Sequence, residues 1–130
     1  MTTTVCIIDD DESVRRAFLM LLESAAFKAR TYATAEAFLV DENVALSDCI
    51  VTDIRLPGLS GLDLMERMRL KGLNIPVIVV SACDDDYTRQ RAFKLGARAF
   101  FCKPVDDQPL VDAILCDPLG HRRGLMNCTA

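Results

Sequence analysis

The sequence predicts an open, doubly wound α/β domain, in which helices cover both faces of a five-stranded parallel sheet. Three observations indicate this fold class. Short apolar runs recur along the chain, amphipathic stretches alternate with them, and Gly or Pro residues mark several segment ends. Near-continuous β-branched runs are typical of strands that are buried on both faces. A repeated βα order favours right-handed crossovers and places ligands beyond the carboxyl ends of the strands.

Five short runs are the candidate strands of this sheet. Four of them are dominated by apolar residues, and the second in chain order is a weaker candidate. In order, they are VCII (5–8), FKARTY (27–32), CIVT (49–52), PVIVVSA (76–82) and ARAFF (97–101).

The stretches between these runs have helical periodicity. In the first, Val14, Phe18, Leu21, Leu22 and Ala25 follow i, i+4, i+7, i+8 and i+11 spacing, which places them on one helix face. The later helical candidates each meet a strand end or a Gly or Pro signal. They are residues 34–40, 61–71, 86–95 and 107–116.

The length of 130 residues is that of a single domain, and 51% hydrophobic with 26% charged residues suffices for a packed core. The net charge is -4 and the basic residues are scattered, so we expect no direct nucleic-acid binding by this chain. The predicted domain covers residues 1–117. The Pro- and Gly-containing, aperiodic stretch at 118–130 is expected to be a disordered tail or the start of a linker.

The six cysteines have neither metal-site spacing nor the setting of a small disulfide-rich scaffold, so reduced thiols are expected. The apolar run near the N-terminus is too short for a signal peptide, and no run approaches the length of a membrane span. We therefore expect a cytoplasmic protein.

Polar side chains follow four of the predicted strands. Because the carboxyl ends of parallel strands meet at one edge, residues that are distant in sequence are expected to converge there. They are Asp9, Asp10 and Asp11 after the first strand, Asp53 after CIVT, Ser81 after VIVV, and Lys103 with Pro104 after AFFC.

This combination indicates phosphoryl transfer. Clustered carboxylates repel one another unless a cation neutralises them, and Mg²⁺ prefers such oxygen ligands and bridges to phosphate. The Lys103 ammonium and the Ser81 hydroxyl could donate to phosphoryl oxygens. Taken singly, each residue has an ordinary explanation as a helix cap, a turn residue or a surface charge. Their combination at four strand ends is what carries the prediction.

Several segments resemble the receiver domain of bacterial two-component response regulators, and the FixJ-like group in particular. The resemblance runs from Val5 to Leu115, and it implies a (βα)5 flavodoxin-like receiver fold. Its specific pieces are IIDDDESVR, IVTDIRLPGLSGLDL, PVIVVSA, GARAFF and the Lys103-Pro104 pair.

The resemblance implies that Asp53 takes a phosphoryl group from a phosphohistidine of a sensor histidine kinase or phosphotransfer protein. It implies direct Mg²⁺ binding by Asp10, Asp53 and the backbone carbonyl of Arg55, with Asp9 acting mainly through water. The neighbouring acids Asp11 and Glu12 are instead expected to cap the first helix.

The resemblance also implies a switch. Ser81 would move toward the phosphate, Phe100 would rotate inward, and the surface of the fourth helix, fifth strand and fifth helix would change, permitting a phosphorylation-dependent homodimer or control of an output partner. For Phe100, an ordinary core position is an equal alternative. Ser81 replaces the commoner Thr of the family. Arg55 and Cys83 occupy positions that tune phosphate lifetime, which the sequence leaves open.

Two other interpretations remain. Asp9 and Asp11 also fit the nucleophile motif of haloacid-dehalogenase-type Mg²⁺-dependent phosphatases, although Ser13 stands where that motif expects Thr or Val and Asp53 would have no role. The other interpretation is a receiver-like interaction module that never takes phosphate. The sequence names neither the cognate kinase nor the output, and it does not separate a stand-alone receiver from a fragment of a longer regulator.

Overall fold

A computed structural model describes residues 2–82 and 85–115 of the chain. Within these ranges the predicted alternation of strands and helices is confirmed. The elements are β1 (Thr4–Ile8), α1 (Glu12–Ser24), β2 (Lys28–Tyr32), α2 (Ala35–Leu39), a one-turn 3₁₀ helix (Val44–Leu46), β3 (Cys49–Thr52), α3 (Gly61–Leu70), β4 (Val77–Ser81), α4 (Asp86–Lys94), β5 (Ala99–Cys102) and α5 (Asp107–Leu115).

The strands form one parallel sheet with the order β2-β1-β3-β4-β5. From β1 the chain moves outward to β2, and it then crosses back to β3 on the other side of β1. Because the chain reverses direction along the sheet between β1 and β3, a crevice opens between the carboxyl ends of these two strands. The fold therefore provides a binding position at these two strand ends.

The hydrophobic core lies on both faces of the sheet, as the apolar runs predicted. In β1, Cys6 and Ile8 contribute to one cluster, which includes Phe38 of α2 and Leu64 of α3. The intervening side chains of β1 point to the opposite cluster, which includes residues of α1 and α5. The alternation follows from the two-residue side-chain period of a strand.

The second strand is the weakest of the five in burial as well as in sequence. It lies at one edge of the sheet, and none of its residues is fully buried. An edge position leaves one side of a strand without a neighbour, so polar side chains such as Lys28 and Thr31 are tolerated there. This position explains why the sequence signal of β2 was faint.

Some features of the chain fall outside the sequence predictions. The 3₁₀ helix before β3 was not predicted, and its Val44 is buried in the core. The predicted tail at 118–130, the domain limit at residue 117 and the position of Cys83 lie outside the described residues. Among the residues that are described, no helix combines the length and apolar character needed to cross a membrane.

Candidate functional site

Two carboxylates meet at the crevice between β1 and β3. Asp9 directly follows β1 and Asp53 directly follows β3, and the strand register pairs the residues that precede them. The Asp53 N–H donates to the Ile8 carbonyl at 3.0 Å, and the Asp9 N–H donates to the Tyr32 carbonyl at 3.1 Å. Because backbone bonds of the sheet continue through both residues, their side chains are fixed side by side. Both residues are buried.

Lys103 joins these two carboxylates. Its Nζ lies 2.8 Å from Asp9 Oδ2 and 2.8 Å from Asp53 Oδ2, and its backbone N–H donates to the Ser81 carbonyl at 2.8 Å. Burial by itself lowers the pKa of Lys103, but the hydrogen bonds to Asp53 and Asp9 outweigh it and raise that pKa above its ordinary value. The ammonium is therefore held in its charged form between the two acids.

The exposed Asp10 completes an acidic cluster. One carboxylate oxygen from each of Asp9, Asp10 and Asp53 can be chosen so that all three lie within 4.8 Å of one another. In an octahedral Mg²⁺ shell, adjacent ligands lie about 3 Å apart and opposite ligands about 4.2 Å apart, so these oxygens would move closer together to share one ion. Among the described residues, Lys103 forms the salt bridges to this cluster, and it pairs with two of the three carboxylates. The donor type, the spacing and the charge all fit a divalent cation.

The third acid of the run has the structural role that the sequence predicted for it. Asp11 is the N-cap of α1 and accepts hydrogen bonds from the N–H groups of Ser13 and Val14. Bonds from Ser13 and Val14 lower the pKa of the Asp11 carboxyl. The Asp11 N–H in turn donates to Asp9 Oδ1 at 2.9 Å, so the capped helix end also orients Asp9.

Two residues near the acids were missed by the sequence reasoning. The Arg15 guanidinium donates to the Asp9 carbonyl at 2.8 Å, a contact that requires the turn between β1 and α1. Gly61, the first residue of α3, lies so close to the Asp53 carbonyl that a side chain would collide with it. A glycine directly after the N-cap Ser60 was the available signal, because Gly has low helix propensity and is not the residue favoured at that position.

The loop after Asp53 also contacts its carboxylate. The Arg55 N–H donates to Asp53 Oδ1 at 3.2 Å, so the backbone of Arg55 lies beside the acid. The role of the Arg55 carbonyl as a metal ligand stays a prediction. On the preceding side, the buried Thr52 hydroxyl donates to the Asp53 carbonyl at 3.0 Å.

Ser81 lies at the same edge of the sheet as these acids. It is the last residue of β4 and is fully buried. Thr52 pairs with Val79 across β3 and β4, so Ser81 lies one residue further along the sheet than Asp53. The structure thus brings Asp9, Asp10, Asp53, Ser81 and Lys103 to one end of the sheet.

Phe100 occupies a different environment from these polar residues. It is buried in the cluster that faces α2, α3 and α4, whereas its neighbour Phe101 packs on the opposite side of the sheet. The Arg89 guanidinium lies over the rings of Phe100 and Phe93. Its Cζ is 5.8 Å from the Phe100 centroid and 5.9 Å from the Phe93 centroid. Phe100 is thus a core residue in this conformation, and its role in a switch stays a prediction.

The described cysteines are free thiols with different environments. Cys6 and Cys49 are buried, whereas Cys102 is exposed. Burial raises the pKa of Cys6 above its ordinary value, and it raises that of Cys49 to about 12. These two thiols are therefore poor nucleophiles.

Comparisons with known proteins agree with this geometry. The sequence profile of the response regulator receiver domain matches residues 5–115. The transcriptional regulatory protein FixJ of Azorhizobium caulinodans is 41% identical over 111 residues, which are 85% of this chain and 52% of that protein. The transcriptional regulatory protein TdiR of Thauera aromatica is 36% identical over 112 residues, or 86% and 49% of the two chains.

A solved structure has the same fold. The response regulator StyR superposes with a TM-score of 0.80 at 38% identity, covering 88% of this chain and 58% of that one. The chain spans about half the length of the curated relatives named above.

Proposed function

Because this chain belongs to the family of response regulator receiver domains, we propose that it is a phosphorylation-dependent switch in which Asp53 is the phosphoacceptor. The observation that carries the proposal is the Lys103 ammonium, bound at 2.8 Å to both Asp53 and Asp9 at the ends of two adjacent strands. A buried carboxylate held beside a second acid and a lysine is suited to receive a phosphoryl group.

In the proposed reaction, a carboxylate oxygen of Asp53 attacks the phosphorus of a phosphohistidine on a sensor histidine kinase or phosphotransfer protein. The new O–P bond forms as the P–N bond breaks, and the electron pair of that bond returns to the imidazole. Lys103 keeps its proton and donates a hydrogen bond to a phosphoryl oxygen. The Ser81 hydroxyl donates to another. The chain catalyses only its own phosphorylation and dephosphorylation.

The acidic cluster is proposed to hold Mg²⁺. Asp10, Asp53 and the Arg55 carbonyl would be its direct ligands, and Asp9 would act mainly through water. The bound ion would supply positive charge for the phosphoryl oxygens and relieve the repulsion among the carboxylates. The clustering of three carboxylates, of which Lys103 pairs with two, supports this assignment.

The signal is proposed to leave the site through packing changes. Ser81 would turn toward the phosphoryl group, Phe100 would change its rotamer, and the surface of α4, β5 and α5 would change with it. That surface would control an output partner or effector, or form a phosphorylation-dependent homodimer. We also propose a cytoplasmic location. The acidic net charge of -4 supports the further proposal that this chain does not bind nucleic acid directly.

The haloacid-dehalogenase-type phosphatase is less compatible with the site. That chemistry needs a nucleophile at Asp9 and leaves Asp53 without a task, whereas Lys103 contacts both acids equally. A receiver-like module that takes no phosphate would leave the complete set of acids, Ser81 and Lys103 without a chemical role.

The decisive experiment is incubation with Mg²⁺ and acetyl phosphate or phosphoramidate, followed by intact-mass analysis. We expect one added phosphoryl group in the wild type and in Asp112→Asn, a control on α5, and none in Asp53→Asn. No added mass in the wild type, or mass still added in Asp53→Asn, contradicts the proposal. Turnover of a small phosphate ester that is lost in Asp9→Asn and kept in Asp53→Asn would instead establish the phosphatase.

A further inference from the structure

The loop that follows Asp53 is held near its end by a side chain from another element. Residues 53–60 connect β3 to α3, and the Leu59 N–H in this loop donates to Glu36 Oε2 of α2 at 3.1 Å. The two residues are 23 positions apart in sequence, so this bond ties α2 to the loop that carries the Arg55 backbone. It uses a charged acceptor, which makes a backbone hydrogen bond stronger.

Gly58 makes room for the same carboxylate. Its φ of +76° belongs to the left-handed region, and Pro57 before it is the residue favoured at the preceding turn position. A Cβ on Gly58 would collide with Glu36 Oε2, and it would lie 3.1 Å from Cδ and 3.2 Å from Oε1. The carboxylate therefore packs directly against bare glycine backbone, in a contact that lies on the exposed surface of the domain.

The two ends of the loop are attached to the phosphoacceptor region. At the start, the Arg55 N–H donates to Asp53 Oδ1 at 3.2 Å. At the end, the Gly61 N–H donates to the Ile54 carbonyl at 2.8 Å. Between these attached ends, the bond from Leu59 to Glu36 is a further restraint on the loop that carries the Arg55 backbone.

We propose that Glu36 is a positioning residue for Mg²⁺ binding and phosphoryl transfer at Asp53. It holds the loop in the arrangement that keeps the Arg55 backbone beside the acidic cluster. Without it, the loop populates other arrangements, and the apparent Mg²⁺ affinity falls in proportion to the fraction of chains that remain competent. This inference rests on the proposed function and adds a residue from outside the cluster to it.

The test compares Glu36→Ala, Glu36→Gln and the control Glu23→Ala, which removes an exposed carboxylate from the last turn of α1. Three quantities are measured: hydrogen exchange at the Leu59 amide, Mg²⁺ binding by calorimetric titration without a phosphodonor, and the rate of phosphorylation by acetyl phosphate over a range of Mg²⁺ concentrations. Thermal unfolding verifies that each variant is folded.

We expect Glu36→Ala to accelerate exchange at Leu59 and to raise the Mg²⁺ dissociation constant roughly threefold to tenfold, the range for loss of one ordinary hydrogen bond, because the bond to Glu36 is exposed to solvent. The phosphorylation rate should fall at low Mg²⁺ and recover at high Mg²⁺. Glu36→Gln keeps an acceptor oxygen and should restore most of the affinity, whereas Glu23→Ala should match the wild type.

The outcomes separate this inference from the proposed function. Faster exchange at Leu59 with unchanged Mg²⁺ affinity in Glu36→Ala would show that the bond only stabilises the loop, and the inference would be wrong. A Glu36→Gln variant as impaired as Glu36→Ala in a folded protein would also overturn it. A wild type that binds Mg²⁺ but takes no phosphoryl group would refute the role of Asp53 instead.

Discussion

Replacing Gly61 with alanine is expected to disturb the phosphoacceptor through its backbone. Gly61 begins α3, and its N–H donates to the Ile54 carbonyl at 2.8 Å. A Cβ at this position would collide with the Asp53 carbonyl oxygen, and it would lie 3.1 Å from both the Asp53 carbonyl carbon and Ile54 Cα. Carbon atoms prefer a separation of about 3.5–4.0 Å, so backbone must move.

The size of the effect follows from two opposing contributions. Overpacking of this kind costs about 1–3 kcal/mol, and backbone neighbours yield less readily than flexible side chains. The better helix propensity of alanine returns up to about 1 kcal/mol, and less than that in the first helical turn. We therefore expect a net loss of about 1–2 kcal/mol in the free energy of unfolding, or roughly 3–8 °C in Tm. The displaced Asp53 should also be phosphorylated more slowly.

The assay combines urea unfolding with the rate of phosphorylation by acetyl phosphate. Gly72→Ala is the matched control, because Gly72 follows α3, has a φ of +73° and has no atom within 4 Å of its added Cβ. That substitution should cost about 1–2 kcal/mol through its backbone conformation alone and leave the rate unchanged. If Gly61→Ala matches the wild type in both stability and rate, the close approach of α3 to Asp53 is wrong.

Two further predictions concern polar contacts. Lys103→Met removes two charge-assisted bonds, one to Asp9 and one to Asp53. We therefore expect the free energy of unfolding, measured with urea, to fall by about 1–3 kcal/mol without Mg²⁺ and to recover in part when Mg²⁺ is added. Equal stability of the variant with and without Mg²⁺ contradicts this prediction. The Tyr32 hydroxyl donates to Asp41 Oδ2 at 2.6 Å and lowers the pKa of that carboxyl. The stabilisation from this hydrogen bond is therefore present above about pH 3.9, the pKa of Asp41 in the unfolded chain. It is lost as the pH falls through the lower pKa of Asp41 in the folded protein. Tyr32→Phe should be less stable than the wild type at pH 7, and this difference should shrink below about pH 4; a constant difference refutes the linkage.

The fold was largely predictable from the sequence, because parallel strands buried on both faces leave a direct mark in composition. Runs such as CIVT at 49–52 coincide with a fully buried strand. The faint signal of β2 has an equally physical cause, since an edge strand needs less apolar surface. The 3₁₀ helix at Val44–Leu46 was missed, because a single turn is too short to establish a periodic pattern.

The sequence by itself determined which residues reach the site. Asp9, Asp53, Ser81 and Lys103 each directly follow or end a strand, and parallel strands bring their carboxyl ends together whatever the details of packing. The same local logic identified Asp11 as a helix cap, because that role depends only on the next three residues.

Only the tertiary structure decided how these residues are held. The contact of Glu36 with the loop after Asp53, the donation from Arg15 to the Asp9 carbonyl and the close approach of Gly61 to Asp53 join segments through the turns and packing of the folded chain. Sequence periodicity reports which face of an element is apolar, and it carries no information on the distance between a side chain and a separate loop. The sequence determined the chemistry of the site, and packing decided its geometry.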